Sequence, residues 1–154
     1  MSDRPTFWFY LPAPLTGNTP IEFVVQDAIN RYVYNTRIAA AKTQAGLMQL
    51  SLPTTAQPLE VGKSYTWTLS IYCDPAKPSQ AVFVNSLIQR MAARPDLQRR
   101  LSTSAPLEQV KLYVMNGIWY EALNGLAPLY RANPQERQMA AAWASLLQHP
   151  LNGA

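Results

Sequence analysis

The chain is short of the residues that carry most protein chemistry. Its 154 residues include a single cysteine, Cys73, and a single histidine, His149. One thiol cannot close an internal disulfide. One histidine and one cysteine, far apart in sequence, fall short of the three or four clustered ligands that zinc requires. A catalytic triad needs a base held within hydrogen-bond reach of its nucleophile, and His149 lies next to a tail expected to fray from Pro150. There is no glycine-rich phosphate loop and no dinucleotide fingerprint, so no cofactor is expected. Charge is sparse as well, at 14 % of residues against a usual share of about 25 %. Lys+Arg total 13 and Asp+Glu 9, a net +4, which is no nucleic-acid footprint. Arg90, Arg94, Arg99 and Arg100 lie close together, but no aromatic stands among them to stack a base, and they read as a solvated face. No apolar run approaches the roughly 18 residues of a membrane span. The start, MSDRPTFWFY, lacks the basic, apolar and small-residue regions of a signal peptide. It reads as a cytosolic start, or as that of a mature or trimmed fragment.

The carboxylates (Asp3, Glu22, Asp27, Glu60, Asp74, Asp96, Glu108, Glu121 and Glu136) are scattered, with no pair at helical i, i+4 spacing. Two of them could still meet in space for glycoside hydrolysis, which needs only a pair of carboxyl groups flanking the bond. Asp74, in YCDP, reads as the cap of a turn at a strand end.

What the chain does have is apolar and aromatic residues, 48 % and 10 %. From Tyr65 they alternate: Tyr65, Trp67, Leu69, Ile71 and Cys73 on one side, Thr66, Thr68, Ser70 and Tyr72 on the other. Period two predicts a strand with one buried face, which places Cys73 among buried, inert side chains. The entry, Leu59-x-x-Gly62-x-x-Tyr65, resembles the corner that opens a late strand in fibronectin-type and immunoglobulin-like sandwiches. There a Tyr hydroxyl bonds back to upstream backbone, and Gly62 supplies a turn other residues resist. Further strands are expected at TFWFYL (Thr6 to Leu11), around Ile21, Phe23 and Val25, around Tyr32 to Ile38, from Gly46 to Leu52, and at AVFV. Turns rich in Pro and Gly separate them.

Near Asn85 the period changes to that of a helix, with Leu87, Ile88 and Met91 on one face. Pro95 and Pro106 each open a further helix, and Asn116-Gly117 closes the second. A helix from Trp119 is expected to kink or break near Gly125, because Pro128 lies inside it. Asn133, Pro134 and Glu136 form a start signal for the last helix. Tyr113, Gly117, Trp119, Ala122 and Pro134 stand where a tetratricopeptide repeat wants a tyrosine, a turn residue, an aromatic, a small residue and a proline. Only about one repeat is present, where about three make a stable solenoid. The reading is therefore a helical hairpin closing a core.

Several segments are similar to a largely cyanobacterial family, domain of unknown function 928: PTFWFYLP, IEFVVQD, VYNT, LSLPTTAQPLEVGKSYTWTLSIYCDP, LYVMNGIWYEALNGLAPLYRANP and AAWASLL. The resemblance runs from Pro5 to Leu147. It implies a secreted or envelope (extracytoplasmic) protein, although the signal peptide and the Gly/Arg-rich, cysteine-containing segment usual before FWFY are lacking here. In relatives with that upstream cysteine, the resemblance suggests it as a partner for Cys73. A glycine usual in the family near VFVNSLIQR is replaced by Asn85-Ser86. No catalytic residue comes with the family.

The sequence thus predicts an α+β protein. A small antiparallel immunoglobulin- or fibronectin-like β-sandwich, residues 5–84, is followed by a helical lobe, residues 85–149, with a tetratricopeptide-like hairpin, the two forming one cooperative unit. Its expected structural residues are Tyr65, Gly62, Cys73, Trp119 and Pro134. The leading functional expectation is a non-enzymatic binding or assembly module of the cell envelope. It would take a protein or glycan partner on outward aromatics (Tyr34, Tyr72, Trp8, Tyr10), with no catalytic, metal or cofactor site, no nucleic acid, and weak homo-oligomerisation allowed. A polymer hydrolase with convergent carboxylates and a tetratricopeptide-type adaptor stand as alternatives.

Overall fold

The computed structural model describes residues 2–15, 19–40, 43–73, 76–92 and 94–148. Six strands precede four helices: β1 Thr6–Leu11, β2 Pro20–Asp27, β3 Tyr32–Ala39, β4 Gly46–Ser51, β5 Ser64–Ile71, β6 Val82–Gln89, α1 Pro95–Thr103, α2 Pro106–Met115, α3 Trp119–Ala132 and α4 Arg137–Gln148. The fold is α+β. All strand pairs are antiparallel, in a two-stranded sheet β1-β4 and a four-stranded sheet β3-β2-β5-β6. The period-two pattern sets the faces. Phe7 and Phe9 of β1, Ile21, Phe23 and Val25 of β2, and Tyr65, Trp67 and Leu69 of β5 meet in one core between the sheets, with Met48 and Leu50 of β4 against it.

The chain enters β5 through a fixed corner. Gly62 takes a φ of 81°, a left-handed conformation that a side chain would strain. The Tyr65 hydroxyl then accepts the Glu60 N–H at 2.9 Å. Leu59, 1 % exposed, anchors the loop in the core. Arg90, just past β6, ties the corner to that strand, since its Nη1 donates to the Leu59 carbonyl at 2.7 Å and its carbonyl accepts the Gly62 N–H at 2.7 Å. Tyr65→Phe is expected to cost about 1 kcal/mol, the usual net worth of one hydrogen bond. Urea unfolding of the pair measures this, and an unchanged midpoint would mean the hydroxyl holds nothing.

Two local expectations are corrected at the ends of this ladder. The helix expected from Asn85 is a strand instead, because β6 continues to Gln89 and pairs residue for residue with β5, from Ile71↔Val82 to Ser64↔Gln89. Leu87, Ile88 and Met91 satisfy a helical period by coincidence, and the partner strand decides. Cys73 is exposed, not buried. β5 ends at Ile71 because its neighbours begin there, β2 opposite Ile21 and β6 opposite Val82. The Tyr72 N–H still reaches the Pro20 carbonyl at 2.9 Å, and beyond it the alternation no longer sets which way a side chain faces. A thiol reagent is therefore expected to label Cys73 at the rate of a free exposed thiol without denaturant. Labelling that waits for unfolding would contradict this placement.

Among the helices, Pro95 and Pro106 sit in the first turns of α1 and α2, where a missing N–H costs nothing. Gly117, at φ 70°, turns the chain between α2 and α3. α3 runs unbroken through Pro128, so the expected break near Gly125 does not occur. Gly125 has a different role. A Cβ there would stand 3.0 Å from Val110 Cγ2, so the missing side chain lets α2 and α3 approach. The last helix begins at Arg137 rather than Pro134, since Asn133 caps the end of α3 and the Glu136 N–H closes a turn onto its carbonyl at 3.1 Å. A second core of Val110, Ala122, Leu123, Leu126, Ala127, Met139 and Leu146 joins α2, α3 and α4, and Trp8 of β1 is buried in it.

Candidate functional site

β6 is the outer strand of the four-stranded sheet, and among the described residues no strand lies along its other edge. Exposed sheet edges are usually guarded by charge, proline or a bulge. The opposite edge shows this: β3 carries Arg37, follows Arg31, and pairs with β2 across a register shift at Val25/Gln26. β6, VFVNSLIQ, has no charge in eight residues. Val82, Phe83, Val84 and Leu87 are 61 %, 64 %, 50 % and 49 % exposed, and Met91 follows at 57 %. The register places Val82, Val84, Ser86 and Ile88 on the inner side, opposite Ile71, Leu69, Trp67 and Tyr65, and Phe83, Asn85, Leu87 and Gln89 on the outer side. The strand thus carries exposed apolar side chains on both faces along this edge.

Behind it lies a groove of about 450 Å³, floored by Trp67, Val84, Ser86 and Ile88 and walled by Trp119 and Tyr120. The two-stranded sheet is too narrow to cover β6, so the start of α3 takes that place. Tyr120 enters beside Phe7 (ring centroids 5.9 Å apart), and its hydroxyl accepts the Trp67 indole N–H at 3.1 Å. Burial holds the Tyr120 phenol above its ordinary pKa, partly opposed by that hydrogen bond. The phenol therefore stays neutral under physiological conditions. Glu121 at the rim accepts the Ser2 backbone N–H at 2.8 Å. The groove is mainly apolar, with Asn85, Ser86 and Gln89 among its polar groups and the charged Arg90 and Glu121 also lining it, a composition suited to side chains of another segment.

The aromatics singled out in the sequence do not form one strip. Trp8 is 6 % exposed, donates its indole N–H to Asn124 Oδ1 at 2.8 Å and sits under α3 and α4. Tyr34 packs its ring against Phe23 at 6.4 Å. Tyr72 donates to Glu22 Oε2 at 3.0 Å, and that bond holds its phenol pKa above normal. Tyr10 is 71 % exposed. Trp119 is half-buried at the groove, and Pro134 is exposed between α3 and α4.

The carboxylates answer to separate partners. Asp3 meets Arg4, Asp27 meets Arg31, Glu60 meets Lys63, Asp96 meets Arg94 and Glu108 meets Lys111. The Arg31 backbone N–H is the main reason the Asp27 carboxyl lies below its ordinary pKa, the opposite of what a proton-donating acid requires. Among the described residues no three His, Cys, Asp or Glu side chains gather as a metal site, and no helix is long and apolar enough to cross a membrane. Asp74 and His149 lie outside the described residues.

A family model, Domain of Unknown Function (DUF928), matches residues 1–152. The chain belongs to this family. No curated protein and no solved structure matches it. Family membership names no activity, so the β6 edge is the feature that distinguishes this surface. Sequence reading passed over it, although eight uncharged residues with apolar side chains in both parities were a usable sign.

Proposed function

We propose that the chain is a non-enzymatic binding or assembly module whose working surface is the open edge of β6 and the groove behind it. The observation that carries this reading is an outer strand with no neighbouring strand among the described residues, bearing exposed apolar side chains on both faces beside an aromatic-walled groove. An extended segment laid along β6 satisfies the edge N–H and C=O groups, while its alternate side chains enter the groove. We further propose an immunoglobulin-like origin for this scaffold. Among the described residues, the pairing β1-β4 and β3-β2-β5-β6 follows that of B-E and C′-C-F-G, and the Tyr65 corner at the entry to β5 supports it. The envelope is the compartment that the family resemblance suggests, and a module exporting a free strand edge fits assembly there.

The test uses a short soluble peptide of alternating valine and threonine, followed by backbone amide shifts and by the fluorescence of Trp67 and Trp119. Saturable binding that perturbs β6 and not β3, and is lost in Val84→Asp, is expected. Perturbation spread equally over both edges, or none at all, would overturn the reading. Hydrolysis of an envelope polymer by the purified protein, abolished by changing one carboxylate, would replace it with the hydrolase.

A further inference from the structure

We propose that the segment β6 is built to receive is β6 of a second copy of this chain, in an antiparallel edge-to-edge pair; the inference rests on the binding role of this edge proposed above. The strand reads almost the same in both directions about Asn85. With Asn85 facing its own counterpart on a two-fold axis, Phe83 lies opposite the partner's Leu87 on the outer face. On the inner face, Val82 lies opposite the partner's Ile88, and Val84 opposite the partner's Ser86. This register keeps inner residues with inner and outer with outer, as a continuous sheet demands. It sets apolar against apolar at both ends of the seam, where cross-strand pairs are most favourable. A self-complementary patch is also what a two-fold interface requires.

Charge permits the match. β6 carries none, so two copies of a net +4 chain meet along a neutral line rather than a repelling one. By contrast, the other outer strand of the same sheet, β3, carries a charge, Arg37, that such a pair would bring into the seam. Area limits the strength. Val82, Phe83, Val84, Leu87 and Met91 are each about half or more exposed and together offer on the order of 500 Å² per copy, below the ~800 Å² per partner of a standard stable interface. The pair is therefore weak and forms as concentration rises, joining two four-stranded sheets into one of eight strands.

The register gives a specific test. Opposed residues on antiparallel strands have Cα atoms about 4.5–5.5 Å apart, inside the range of a disulfide. In a Cys73→Ser background, Asn85→Cys is expected to form a covalent dimer under mild oxidation, whereas Gln89→Cys, whose counterpart lies far along the seam, is not. Sedimentation of the unmodified chain should show an average mass rising from monomer toward dimer with concentration. Phe83→Lys, on an exposed outer position, should hold it at monomer with unchanged circular dichroism. Equal cross-linking at both positions would show mere collision and overturn the pairing, as would a monomer at every concentration. If the pairing fails while the valine–threonine peptide still binds β6, the edge takes a foreign strand and only the second-copy inference falls. If the peptide fails too, the binding role of the edge falls with it.

Discussion

Replacing Phe23 with alanine is expected to remove roughly 3–5 kcal/mol of stability, the range for truncating a buried aromatic. Phe23 is fully buried, and its ring centroid lies 5.0 Å from that of Phe7, 5.5 Å from Phe9, 6.3 Å from Trp67 and 6.4 Å from Tyr34. These rings come from both sheets, so the cavity would open where the sheets meet. Little relaxation is available, because Phe7, Phe9 and Trp67 are themselves buried and packed against further rings, and tilted or edge-on ring pairs add to the area buried. Against a typical total of about 5–15 kcal/mol, the loss is large. Urea unfolding should show a much lower midpoint with an unchanged slope. A loss under about 1 kcal/mol would mean the ring cluster is not the centre of the core.

Trp8→Ala is expected to cost a similar amount, about 3–5 kcal/mol, by a different route. Its neighbours in β1, Phe7 and Phe9, face the core between the sheets, while Trp8 faces the helical core. It meets Trp143 edge-on at 6.3 Å, and Trp143 in turn stacks on Tyr130 at 5.2 Å and 6°. Its indole N–H also satisfies Asn124. Removing it deprives α3 and α4 of a principal anchor on the sheet. Limited proteolysis should then cut the α3–α4 segment well before the strands, a change that Trp8→Phe, which keeps most of the ring, should largely avoid. Uniform loss of protection over the whole chain would show instead that the strands and helices unfold as one unit.

Much of the architecture was legible because local chemistry and tertiary structure agree. TFWFYL forms β1 from Thr6 to Leu11, prolines open α1 and α2, and Leu59-x-x-Gly62-x-x-Tyr65 is where the hydroxyl bond to the Glu60 N–H occurs. Most of the readings that failed depend on neighbours distant in sequence. Leu87, Ile88 and Met91 fit a helix until β5 is present to pair with them. Cys73 fits the strand parity until the starts of β2 and β6 show where the ladder stops. Pro128 leaves the Asn124 carbonyl without its helical N–H, yet α3 continues because Leu123, Leu126 and Ala127 before the proline and Leu129 and Tyr130 after it pack into the helical core. The candidate site was hardest to read. The residues of β6 are ordinary strand formers, and what makes them a surface is that, among the described residues, no strand lies along their outer side. That is a property of sheet order, of which the local pattern records only the lack of charge and the apolar residues in both parities.

The central claim is that the outer edge of β6 is open and ready to pair, and amide hydrogen exchange along this strand tests it most directly. In dilute protein, the β6 amides that point away from β5 should exchange orders of magnitude faster than those bonded to β5. They should slow as the protein is concentrated, while the corresponding amides of β3 do not change. Outward amides of β6 that are already as protected as those of β5 in dilute protein would show the edge to be covered within the monomer, and would contradict the account.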